Sequence, residues 1–106
     1  LDLGASFGGL VFKCKQAGYQ VRATDVLPEA VDFLNSKGIP AVQAYCMKQI
    51  PESLCTGVDA ITLIDVHYYW EQVFSEFQQV KERLNAGGVL LIRASDKSWL
   101  RRCRSK

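Results

Sequence analysis

The segment LDLGASFGGL places Gly4, Gly8 and Gly9 directly after two leucines that alternate with Asp2. Bare main chain at that spacing suits one kind of chemistry. Glycine lets a backbone come close to a ligand, and the unpaired amides of a helix that starts there point at an anion. Asp25 closes the next apolar segment, where a carboxylate can accept both hydroxyls of a ribose lying across the strand ends. Glycines and acid together read as a nucleotide-binding corner; the plainer reading is that they only shape tight turns. A second group follows in DVHYYW. His67 is the one histidine and titrates where a base for an oxygen or nitrogen nucleophile is useful, though a lone loop histidine also serves structure or solvent. Tyr68, Tyr69 and Trp70 can stack a planar ligand or cover the base of a helix.

These residues need a scaffold that carries them to one end of a sheet, and the hydrophobic period supplies it. Residues 1–3 read as the end of a strand. Residues 8–17 read as a helix with Leu10, Val11, Cys14 and Ala17 on one face, and Gly18 caps it. Residues 20–24 form a second strand ending at Asp25. Pro28 and Glu29 open a second helix that Gly38 closes. Residues 39–44 make a third strand, and 46–57 are irregular, broken by Pro51 and turned by Gly57. Residues 58–66, VDAITLIDV, are apolar enough for a central strand covered on both faces. Trp70, Val73, Phe74, Phe77, Val80 and Leu84 fall at helical spacing; NAGG then turns the chain into a fifth strand, VLLIR. Such alternation predicts an α/β fold: a doubly wound, mainly parallel sheet with helices on both faces, in a single domain over residues 1–106.

Composition excludes several classes. The 106 residues are 48% hydrophobic and 23% charged, which is globular rather than disordered. A net charge of +2 gives no argument for nucleic acid, and the tail SWLRRCRSK reads as a solvated basic end before it reads as a phosphate-contacting patch. No apolar run is long enough to span a membrane, and Asp2 with the glycines interrupts any signal sequence. Cys14, Cys46, Cys55 and Cys103 form no CxxC pair and no zinc spacing, so they read as reduced thiols of a cytoplasmic protein with no metal site. The dinucleotide fingerprint G-x-G-x-x-G is absent, and no tyrosine is followed by a lysine four residues on. Both absences argue against a nicotinamide-dependent oxidoreductase.

LDLGASFG, ATDVLPEAV, VDAITLIDV and LNAGGVLLIR occur in the order and spacing of the class I, Rossmann-like S-adenosylmethionine-dependent methyltransferases. The chain resembles that family over residues 1–93. The resemblance implies a strand order 3-2-1-4-5, with a crevice at the switch point above the first and fourth strands. It implies S-adenosyl-L-methionine as cofactor. Asp2, Gly4, Ala5, Ser6 and Gly8 correspond to the first motif, beside the methionine portion. Asp25 corresponds to the ribose-binding acid, and Val26 and Leu27 to the apolar pair against adenine. Tyr45 and Cys46 stand where the adenine edge is read. Asp65 and His67 end the fourth strand, on the side from which the acceptor comes; there Asp65 borders the cofactor and either could act in catalysis.

The chain departs from the family in three places. Ser6 replaces the middle glycine, which serine can do if its φ is ordinary, and Phe7 takes a usually small position. Tyr45 replaces the common adenine-reading acid. The family's helix before the first strand and its last two strands are missing, which implies either a piece of a longer protein or a partner at the bare edge of the fifth strand. The expected function is methyl transfer to an unidentified acceptor, a small molecule before a macromolecule, with no membrane or nucleic-acid partner. The alternative is a methyltransferase-like binding module without turnover. Self-association through the exposed edge is a further expectation.

Overall fold

A computed structural model describes residues 1–66 and 70–94. Its elements are β1 (Asp2–Leu3), α1 (Gly9–Gln16), β2 (Ala23–Asp25), α2 (Pro28–Ser36), β3 (Ala41–Gln43), α3 (Glu52–Cys55), β4 (Val58–Ile64), α4 (Val73–Arg83) and β5 (Leu84–Arg93), with a 3-10 turn at Met47–Gln49. The five strands form one parallel sheet in the order β3-β2-β1-β4-β5. The chain winds outward from β1 to β3 and then returns across β1 to β4. Right-handed crossovers therefore put α1 and α2 on one face and α3 and α4 on the other.

Each face has its own core. Val11, Val31, Leu34 and Ile39 pack with Ala23 and Ala41 under α1 and α2. Leu3, Met47, Ile50, Leu54, Ile61, Leu63, Trp70 and Val80 fill the opposite side. Pro28 sits at the start of α2 with Glu29 in its first turn, as the sequence predicts.

Four local expectations are corrected. Residues 46–57 hold two short helical turns rather than irregular chain, with Pro51 between them at the N-cap position of α3. The α4 helix begins at Val73 instead of Trp70, whose ring is buried edge-on against Phe77 with centroids 5.5 Å apart. Phe74 is 91% exposed, off the buried stripe of Glu76 and Val80. NAGG does not end the strand pairing: Val58 pairs with Leu84 and Ala60 with Val89, so residues 85–88 loop out as a bulge within β5. Gly87 takes φ 77° there, and Asn85 donates to Asp59 at 2.9 Å.

Nor is β4 covered on both faces. Ile61 and Leu63 point into the α3–α4 core, while register places Ala60 beside Val89 and Thr62 beside Leu91 on the other face. Val89 is 58% and Leu91 55% exposed, since α1 and α2 lie over the β1–β3 half of the sheet.

Candidate functional site

The strand order reverses between β1 and β4, and a cavity of about 460 Å³ opens above their carboxyl ends. Leu3, Gly4, Thr24, Asp25 and Val26 form one side. The loop after β3 supplies Ala44, Tyr45, Cys46, Met47 and Ile50, and the segment after β4 supplies Ile64, Asp65, Val66 and Trp70.

The glycine loop is built from left-handed residues: Gly4 at φ 73°, Ser6 at 52° and Gly8 at 87°. Ser6 thus does not have the ordinary φ that the substitution for glycine called for. Its compensation is a bond, because the Ser6 N–H donates to Oδ2 of Asp25 at 2.7 Å. The Leu27 N–H donates to Oδ1 of the same carboxylate at 2.9 Å. Asp25 is buried and ties the corner after β1 to the corner after β2, each oxygen keeping a second acceptor site. Ala5 N–H to Thr24 carbonyl at 2.8 Å closes the same junction.

Gly4 is bare for a packing reason. A β-carbon there would stand 2.5 Å from Cγ2 of Val66, so the segment after β4 lies directly on the glycine. A β-carbon on Gly8 would meet Leu34 at 2.7 Å and Phe12 at 2.8 Å, so that glycine lets α1 approach α2. Asp65, at φ 57°, is also left-handed. Its Oδ2 accepts from Nη2 of Arg93 at 2.8 Å and from Nε at 3.1 Å, which fastens the end of β4 to the end of β5.

Of the residues singled out in the sequence, Gly4, Asp25, Val26, Tyr45, Cys46 and Asp65 share the cavity lining. Ala5, Ser6, Gly8 and Leu27 shape its floor and corners without lining it. Asp2 lies beneath it: the side chain is buried and accepts from the Thr62 hydroxyl at 2.6 Å. Burial raises the Asp2 carboxyl above its usual range, against the lowering effect of the Thr62 bond. His67, Tyr68, Tyr69, the basic tail and Cys103 lie outside the described residues. Trp70, singled out in the aromatic run as able to stack a ligand or cover the base of a helix, also lines the cavity; Thr24, Met47, Ile50 and Val66 are lining residues that sequence motifs did not mark.

Among the described residues there is no cluster that could hold a metal ion and no helix long and apolar enough to cross a membrane. Cys14, Cys46 and Cys55 carry free thiols.

No protein-family model and no curated protein sequence matches the chain. Solved structures do. The plantazolicin methyltransferase BpumL, solved with a desmethylPZN analog and S-adenosylhomocysteine (SAH), superposes with a TM-score of 0.78 at 17% identity, covering 99% of this chain and 42% of its own. The glycopeptide N-methyltransferase MtfA, solved with S-adenosylmethionine, gives 0.71 at 18% identity, covering 92% and 44%. The PH0226 protein of Pyrococcus horikoshii OT3 gives 0.73 at 22% identity, covering 98% and 52%. The chain therefore spans about half the length of these relatives. In architecture, strand order and the position of its cleft, it has the class I, Rossmann-like fold of the S-adenosylmethionine-dependent methyltransferases.

Proposed function

We propose that this chain is the cofactor-binding core of an S-adenosylmethionine-dependent methyltransferase whose acceptor is a small molecule rather than a macromolecule. One observation carries the reading: a single cavity at the switch point joins Asp25, Gly4 and Asp65. The remaining acceptor sites on Asp25 suit the two hydroxyls of a ribose, and its bonds to Ser6 and Leu27 fix its orientation. The main chain at Gly4 suits close approach of the methionine portion. Val26, Met47 and Ile50 offer apolar contact to a base beside Tyr45 and Cys46. Bound S-adenosylmethionine would supply an electrophilic methyl group for in-line displacement. Positioning and exclusion of water are then the main tasks of the chain's own residues, and Trp70 and Val66 wall the acceptor side. Asp65 orients rather than takes a proton, because Arg93 already holds one of its oxygens. His67 is proposed as base on its residue type and position in the sequence. The free thiols fit a reducing, cytoplasmic setting. The second reading, a binding module without turnover, is favoured by the exposed Tyr45 at the base end, where an acid is common.

Calorimetric titration with SAH tests the cofactor site. Binding is expected, weakened about tenfold or more by Asp25→Asn, which keeps one acceptor oxygen and turns the other into a donor. A folded chain that binds no SAH refutes the reading. Binding without methyl transfer by the full-length protein supports the second.

A further inference from the structure

We propose that Glu76 is a positioning residue for the base-side wall of the cavity, holding that wall from a helix on the acceptor side. The proposal rests on the cofactor reading above and adds to it a residue remote from the cofactor motifs. Glu76 lies in the first turn of α4 and is 7% exposed. A carboxylate buried to that degree needs a hydrogen-bond partner. Its partner is the N–H of Met47, which donates to Oε2 at 2.8 Å across 29 residues of sequence.

That amide opens the 3-10 turn Met47–Gln49, whose cap residue Cys46 provides no side-chain bond. The first amides of such a turn have no partner within it. Glu76 therefore caps the turn from another helix. The rest of the wall is held locally: Ala44 N–H bonds the Asp25 carbonyl at 3.1 Å, and Tyr45 N–H bonds Oε1 of Gln49 at 2.6 Å. Among the described residues, the Glu76 bond is the one that comes from α4. Met47 and Ile50, which flank it, are buried and line the cavity.

The next residue of α4 reaches the lining segment after β4. Phe77 packs edge-on with Trp70, which lines the cavity on the acceptor side. Helix α4 thus touches both lining segments through adjacent residues and sets how they sit against each other. Removing the carboxylate lets the 3-10 turn drift from α4, and the ligand's base end loses its seat.

The test uses SAH and 5′-methylthioadenosine, which share the base and ribose but not the amino-acid tail, with the wild type, Glu76→Leu and Glu76→Gln. Glu76→Leu is expected to weaken both ligands by about tenfold at unchanged stoichiometry. Glu76→Gln, whose amide oxygen still accepts from Met47, is expected to restore most of that affinity. Amide exchange at Met47 should speed up in the leucine variant and stay slow in the glutamine one. Wild-type affinity in Glu76→Leu overturns the proposal, as does a glutamine variant that is folded yet as weak as leucine. If the leucine variant does not fold, slow Met47 exchange with near-wild-type affinity in the glutamine variant supports the proposal; fast exchange there overturns it. A folded wild type that binds neither ligand removes the cofactor reading instead, and Met47 exchange alone then decides whether Glu76 holds the turn.

Discussion

Replacing Gly4 by alanine probes the contact on which the shape of the cleft depends. Two penalties combine. At φ 73° an alanine pays the left-handed cost, about 1–2 kcal/mol. Its β-carbon also meets Val66 Cγ2 at 2.5 Å and Cγ1 at 3.2 Å. Valine is stiff at χ1, so it cannot swing a flexible end away, and such overpacking costs about 1–3 kcal/mol. The sum is a loss of about 2–5 kcal/mol, large against the stability of a chain this size. Urea unfolding with Gly4→Ala, Val66→Ala and the double variant separates the parts. The steric share should reappear as a favourable coupling of about 1–3 kcal/mol in the double variant, while the backbone share persists. A Gly4→Ala chain within about 0.5 kcal/mol of the wild type, or a cycle with no coupling, refutes the idea that the segment after β4 rests on Gly4.

Asp2 carries a pH signature. Its ordinary carboxyl value of 3.8 is raised in the folded chain, mainly by burial. Between the two values the folded state binds more protons than the unfolded state, so this group's contribution falls as pH rises from 3.8 through the raised value. Asp2→Asn, which still accepts from Thr62, should remove that fall, and its stability advantage over the wild type in urea titrations should grow with pH over the same window. An advantage that shrinks as pH rises sinks the argument. On the uncovered face of β4 and β5, Leu91→Lys should change stability by less than about 0.5 kcal/mol in urea unfolding. A large loss of stability would mean that Leu91 packs against protein.

Much of the fold was legible because each strand and helix carries its own period. The apolar run of β4, the Pro28 start of α2 and the glycine corner after β1 are local features, and they appear where the sequence puts them. The place of Asp25 was legible for the same reason: it closes β2 beside the glycine loop and lines the cavity there. What failed to show depended on partners distant in the chain. Trp70 keeps helical spacing with Val73 and Phe77 and packs in the same core, yet lies outside the helix. Asp2 looks like a motif residue facing the cofactor, but in so short a strand alternation alone decides its face, and it turns toward Thr62. Exposure of β4 was misread because an apolar run reports affinity for cover and not whether cover is there. Glu76 reads as a solvent-facing charge on an amphipathic helix, and only the folded chain brings the Met47 amide to it. The base end of the cavity departs from the family pattern at Tyr45, and it is also where a contact across 29 residues does the positioning. In the function proposed above, the local motif would secure the ribose and methionine ends; at the base end the shape comes from α4, so affinity there should respond to changes in that helix as much as to changes in the lining.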